Sequence, residues 1–148
     1  MERLTDLYQW LYREGVMLFA RPLPFSANAP KSVSIRLNQS GAWGIFLDAD
    51  QFLDTRDEYS TMLHECGHYA TGTTHAVSSP SDLVARHENR ADKWAIAWAV
   101  PADELETAVK EGCTEIWDLA ERFHVTEDFM KKAVCWYRNG NLAAEMYL

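Results

Sequence analysis

One short segment constrains this chain more than any other feature: residues 64–68 read His-Glu-Cys-Gly-His. If the segment is helical, His64 and His68 lie on the same side, because 3.6 residues per turn bring positions i and i+4 nearly into line. Two imidazoles placed in this way can bind one metal ion, and Glu65 then lies beside the ion without being a ligand. The segment therefore predicts a helical metal site in which Glu65 is the general base for an activated water.

A catalytic zinc ion typically has three protein ligands, so a third must come from elsewhere in the chain. Glu88 is the first candidate because it lies on the next predicted helix, residues 82–99, in a stripe of two acids and several alanines that can pass close to the first helix. Asp92 follows one turn later and can accept the second N–H of a ligand histidine, which fixes the tautomer of that ring. Two acids on a core-facing stripe would be costly without such partners.

His75 is the alternative third ligand. Residues 64–75 are similar to the longer signature H-E-x-x-H-x-x-G-x-x-H, in which a glycine turns the chain so that the last histidine reaches the metal. This chain has one residue too many before Gly72, and an added residue rotates the approach by about 100°. His75 therefore ranks behind Glu88.

The segments before the metal-site helix predict one helix and a small antiparallel sheet. Residues 4–20 carry apolar side chains at helical spacing and end at the proline-containing segment 21–24. Two short runs, 32–37 and 43–47, flank an Asn-Gln-Ser-Gly turn and predict a hairpin.

The rest of the chain predicts an α+β fold that is mainly helical. A capping-box pattern at Thr55 to Glu58 starts the metal-site helix, and Gly72 ends it. The helices predicted after it are 82–99, one that begins at Pro101 and stops at Gly112, 115–123, and 127–138 with Thr126 as its N-cap. With 148 residues and no credible linker, the chain is expected to form a single domain, 1–148.

The last two predicted helices, within about residues 113–140, resemble a helix-turn-helix. A helix that reads DNA needs basic residues to neutralise phosphates, but five acidic residues outnumber four basic ones between Cys113 and Gly140. The net charge of the whole chain is −8. A helical pair packed on the core is therefore favoured, and direct nucleic-acid binding is not expected.

Cysteine usage and the N-terminus predict a cytoplasmic protein. The three cysteines are odd in number and lack C-x-x-C spacing, as is typical of free thiols in a reducing compartment. The first residues show no basic-then-apolar signal pattern. The longest apolar runs, 16–20 and 94–100, are too short to span a bilayer, so no membrane association is expected.

Three parts of the chain together resemble the ImmA/IrrE metallopeptidase family. They are H-E-C-G-H at 64–68, E-N-R-A-D-K-W-A at 88–95, and the helix break at Val100-Pro101. The family pattern is H-E-x-G-H, then E-x-x-A-[ND]-x-F-A, then an apolar stretch that ends in proline. The chain departs from it at Trp94, where phenylalanine is commoner, and just before the proline, but neither change affects a proposed ligand.

The resemblance implies a zincin-like fold in which Glu88 is the third zinc ligand beside His64 and His68, as the residues themselves indicate. It also implies an intracellular protease of bacteria, phages or mobile elements that cleaves a protein, for example a helix-turn-helix repressor encoded nearby. We therefore expect a zinc-dependent endopeptidase with Glu65 as general base and Asp92 as the partner of a ligand histidine.

Two questions stay open at this point. The alternative function is a zincin-shaped regulatory binding module with little or no proteolytic turnover, although such a module has no need of Glu65. Tyr59, Tyr69 and His75 are all candidates for stabilising the oxyanion, and the sequence does not choose among them.

Overall fold

The computed structural model describes residues 2–20, 31–36, 41–73, 79–140 and 142. Within these ranges the fold is α+β and mainly helical, as predicted. The helices are α1 (Glu2–Glu14), α2 (Thr55–Thr71), α3 (Ser81–Ala99), α4 (Ala102–Lys110), α5 (Ile116–Phe123) and α6 (Glu127–Asn139). The strands are β1 (Met17–Ala20), β2 (Ser32–Arg36) and β3 (Trp43–Leu47).

The three strands form one mixed sheet in the order β1-β3-β2. β2 pairs antiparallel with β3, with Val33 opposite Phe46, so the predicted hairpin pairing is confirmed. β1 pairs parallel with β3, with Leu18 opposite Ile45. The central strand β3 buries Trp43 and other apolar side chains in the core, which leaves β2 at one edge of the described sheet. The predicted turn lies mostly outside the described residues, which omit 37–40.

The prediction of one helix over residues 4–20 is wrong at its C-terminal end. α1 stops at Glu14, and Gly15 adopts a left-handed backbone conformation with φ of 79°. The N–H of Val16 donates to the carbonyl of Leu11 at 3.1 Å, which closes the helix end. The residues that follow form β1 instead. The apolar spacing continued across this break, so the pattern alone could not locate it.

Helix α2 carries the His-Glu-Cys-Gly-His segment between two clear ends. It begins at Thr55, as predicted, but its N-cap is Asp54, whose Oδ1 accepts the N–H of Asp57 at 2.8 Å. The predicted capping box of Thr55 and Glu58 is therefore not what caps the helix. At the other end Gly72 is the C-cap in the left-handed conformation, as expected.

Helices α2 and α3 approach each other so closely that their backbones almost touch. A Cβ atom built on Gly67 would lie 2.9 Å from the Cα of Ala91 and closer still to its carbonyl oxygen. Ala91, Ala95 and Ala99 are all buried, so small side chains continue along this face of α3. Small residues on both helices therefore let the acids of α3 come close to the histidines of α2.

The C-terminal helix α6 packs on the core, and its start contacts α2. The backbone N–H of Thr126, at the start of α6, donates to the hydroxyl of Ser60 on α2 at 3.0 Å. Met130 and Ala133 on α6 are fully buried. The start of the helix that resembled a DNA-reading helix therefore faces α2. In the described ranges no helix combines the length and the apolar character that crossing a membrane requires.

The contact at Gly67 generates a prediction about stability. Alanine is favoured over glycine in a helix by about 1 kcal/mol, but overpacking against a rigid backbone costs about 1–3 kcal/mol or more. Because the obstructing atoms belong to the backbone of Ala91, we expect a cost at the upper end of that range, about 3 kcal/mol. Gly67→Ala should therefore lower the free energy of unfolding by a net of about 2 kcal/mol, measured by urea unfolding in the presence of a chelator.

Gly72→Ala is the matched control. A Cβ at Gly72 has no neighbour within 4 Å, so this variant adds only left-handed backbone strain, about 1 kcal/mol. A Gly67→Ala protein as stable as the wild type would contradict the close packing of α2 and α3.

Candidate metal centre

The side chains of His64, His68 and Glu88 converge on one point between α2 and α3. The Nε2 atoms of the two histidines are 3.1 Å apart. The carboxylate of Glu88 lies 2.6 Å from Nε2 of His64 through Oε2, and 3.2 Å from Nε2 of His68 through Oε1. The three residues can each offer one ligand atom within 4.8 Å of the others. Two imidazoles and one carboxylate are a donor set that suits a metal ion such as zinc.

The local structure explains why these side chains meet. The two histidines are one turn apart on α2, so both rings lie on the same side of the helix. Glu88 lies one turn before Ala91 on α3 and therefore shares its face. Because the backbone of Ala91 lies against Gly67, Glu88 is brought to the histidines.

Both histidine rings are held by their second nitrogen. Nδ1 of His64 is 2.7 Å from Oδ1 of Asp92, so this carboxylate can accept the N–H of that ring; its role as the partner of a metal ligand stays a prediction. An N–H at Nδ1 of His68 donates to the carbonyl oxygen of Thr73, with 2.8 Å between the nitrogen and the oxygen. Hydrogen bonds of this kind fix the orientation of a ligand ring and direct Nε2 toward the metal. The Nζ of Lys132 on α6 lies 3.4 Å from the other oxygen of Asp92.

Thr73 was not found from the sequence, although a signal was present. The left-handed turn at Gly72 folds the chain back, and the N–H of Thr73 bonds to the carbonyl of His68 at 3.0 Å. The residue after a helix-ending glycine therefore lies beside the last turn of the helix, where His68 is located. Thr73 is itself fully buried, with 1% of its surface exposed.

Glu65 is buried next to this cluster and is held by a strand. Only 8% of its surface is exposed, and its Oε1 accepts a hydrogen bond from the hydroxyl of Ser32 at 2.8 Å. Ser32 is the first residue of β2 and is equally buried. Since 33 residues separate Ser32 from Glu65, local sequence patterns could not reveal the contact.

Two adjoining cavities open onto the site. The smaller, about 270 Å³, is lined by Ser32, Val33 and Ser34 of β2 together with the histidines, Glu65, Thr73 and Glu88. The larger, about 660 Å³, also contacts Ser32, His64 and Glu88 and extends to residues at the start of α6, including Phe129. The metal-binding cluster therefore lies between an edge strand and a helical wall.

The structure removes two of the three oxyanion candidates. Tyr59 is buried in the core with 1% of its surface exposed. The hydroxyl of Tyr69 lies 3.3 Å from the carboxylate of Glu14, and neither tyrosine lines the smaller cavity. His75 lies outside the described residues, so its two predicted roles, as rival ligand and as oxyanion partner, stay predictions.

His64 and Glu88 shift each other's pKa values. Burial alone would lower the pKa of His64, but hydrogen bonds to Asp92 and Glu88 outweigh it and raise that pKa to about 10. Hydrogen bonds from His64 and His68 hold the pKa of Glu88 well below its usual range. These shifts favour a protonated His64 and an ionised Glu88.

Metal binding should consequently release the proton of His64. A protonated imidazole cannot be a ligand, so zinc affinity should rise by about tenfold per pH unit for one proton displaced, up to the raised pKa of His64. Competition with a chromophoric chelator between about pH 7 and 9 measures the slope. Asp92→Asn removes one of the two carboxylate partners and should make the slope shallower; an affinity that does not change with pH would contradict the assignment.

A family model described as the IrrE N-terminal-like domain (Peptidase_M78) matches residues 12–134 of the 148-residue chain. The matched span includes α2, α3 and every residue of the cluster described above. No curated protein and no solved structure matches the chain. Since the match extends over far more than half of the sequence, the predicted family resemblance is confirmed, and the chain belongs to the IrrE N-terminal-like domain family of metallopeptidases.

Proposed function

We propose that the chain is a zinc-dependent endopeptidase whose ion is held by His64, His68 and Glu88. The observation that carries this proposal is the convergence of their three ligand atoms within 4.8 Å, beside the buried carboxylate of Glu65. Two histidines and one carboxylate are the ligands of many hydrolytic zinc sites, which keep a further position for water. Membership of a metallopeptidase family supports the same class of reaction.

The residues around the ion divide the chemistry among them. A bound zinc ion would supply Lewis-acid activation of the attacking water and of the peptide carbonyl. Glu65 would accept the proton that the water loses during attack and deliver it to the nitrogen of the leaving amine. Asp92 and Thr73 keep the two imidazoles in place through their Nδ1 atoms, so that the ligands need not reorganise during the reaction.

The shape of the site supports an extended polypeptide as the substrate. β2 is an edge strand of the described sheet, and three of its residues line the smaller cavity. An extended peptide can pair with such an edge through backbone hydrogen bonds, which do not depend on sequence. The larger cavity continues toward α6, where Phe129 and other side chains could contact residues on one side of the bond that is cut.

The proposed substrate is a cytoplasmic protein, for example a transcriptional repressor encoded nearby, as the family resemblance implies. Incubation of the zinc-loaded protein with purified candidate repressors, followed by mass spectrometry of the products, would locate any cleaved bond. Cleavage at one position by the wild type, and not by a Glu65→Gln protein, would identify a substrate.

The Glu65→Gln variant distinguishes an enzyme from a binding module. The amide keeps the size of the side chain but cannot act as a base, so we expect zinc content to stay unchanged and cleavage to fall by at least about a hundredfold. Glu104→Gln is the matched control, because Glu104 is an exposed glutamate on α4, and it should leave both properties unaltered. A Glu65→Gln protein as active as the wild type would contradict the mechanism; zinc binding without cleavage of any tested protein would favour the regulatory binding module.

A further inference from the structure

We infer that Ser32 is a positioning residue for Glu65, and that its hydroxyl holds the carboxylate of the proposed general base in its reactive orientation. This inference rests on the function proposed above. It gives the edge strand β2 a role in the reaction that is separate from binding the backbone of the substrate. The hydrogen bond between Ser32 Oγ and Glu65 Oε1 at 2.8 Å is the observation that carries it.

The contact is buried on both sides. Ser32 exposes 9% of its surface and Glu65 exposes 8%, so little water competes for either group. A hydrogen bond to an ionised carboxylate is shorter and stronger than one between neutral groups. A buried carboxylate without a donor would also be costly. Ser32 therefore favours one orientation of Glu65 with one of its oxygens already engaged.

Ser32 is itself fixed from two directions. Its strand position lies opposite Leu47 of β3, and the carbonyl of the preceding Lys31 accepts the N–H of Asp48 at 2.8 Å. The side chain of Lys31 also forms an ion pair with Asp57 on α2, with 2.7 Å between Nζ and Oδ2. The start of β2 is thus tied both to the sheet and to the helix that carries Glu65.

This anchoring matters because a general base must meet its proton in a narrow range of positions. A group displaced by about 1 Å from the productive geometry can lose on the order of a hundredfold in rate. With Oε1 bonded to Ser32, Oε2 keeps its full capacity to take the proton from water. Ser32 would thereby limit the positions that the carboxylate of Glu65 can occupy.

A zinc-binding probe that reports on Glu65 tests the inference without a known substrate. Acetohydroxamate chelates zinc and passes its proton to a carboxylate beside the ion, so its affinity depends on the position of Glu65. The zinc-loaded wild type is compared with Ser32→Ala, which removes the hydroxyl, and with Ser32→Thr, which restores one. Ser81→Ala is the matched control, because Ser81 is an exposed serine at the start of α3 that lines neither cavity.

Calorimetry should show that Ser32→Ala binds acetohydroxamate about tenfold more weakly, the usual effect of losing a hydrogen bond to a charged group, while zinc content is unchanged. Ser32→Thr should stay close to the wild type, and so should Ser81→Ala. Unchanged affinity in Ser32→Ala, or a threonine variant as weak as the alanine one, would overturn the inference. If Ser32→Ala does not fold, Ser32→Cys keeps the side-chain size with a weaker donor. Weaker binding of acetohydroxamate by Ser32→Cys than by the wild type would then support the inference, and unchanged affinity would overturn it.

Failure of the proposed function gives a different result. In that case the wild type would bind acetohydroxamate no more tightly than Glu65→Gln does, whatever stands at position 32. If the wild type binds acetohydroxamate more tightly than Glu65→Gln but with the same affinity as Ser32→Ala, the result contradicts only the positioning role of Ser32.

Discussion

The contact between Gly67 on α2 and Ala91 on α3 is the constraint on which the rest of the site depends. It brings the two backbones so close that a single Cβ at position 67 would collide with the main chain of α3. Two imidazoles project from one helix and two carboxylates from the other, within one turn of this contact. The same small residues that permit the packing thus determine that Glu88 reaches both histidines.

Around this contact, each functional side chain is held by a different part of the chain. Asp92 on α3 holds His64, Thr73 after the end of α2 holds His68, and Ser32 on β2 holds Glu65. All three bonds are between 2.7 and 2.8 Å long. A helix alone could align two ligands, but it could not fix their ring orientations or the direction of the base. Contacts from separate segments of the chain supply that order, and fixed positions of this kind favour efficient catalysis.

Local patterns predicted the parts of the structure that depend on neighbouring residues. The spacing within α2, its glycine end and the acid-alanine stripe of α3 were enough to predict which side chains meet, although the role of Glu88 as a ligand stays a prediction. Contacts between distant segments were not predictable in this way. Ser32 lies 33 residues from Glu65 in the sequence. Strand β1 was not predicted because the apolar spacing of α1 continues beyond Gly15, whose left-handed backbone ends the helix. Tyr59 and Tyr69 were wrong as oxyanion candidates because one is buried in the core and the other contacts Glu14.

The most direct test of this account is the metal content per chain of protein purified without added metal and then offered zinc. We expect about one zinc per chain in the wild type, a large loss in Glu88→Ala, and full retention in His75→Ala. Zinc retained in Glu88→Ala and lost in His75→Ala would contradict the site and place the third ligand at His75. No zinc in any of the three proteins would contradict the metal centre altogether.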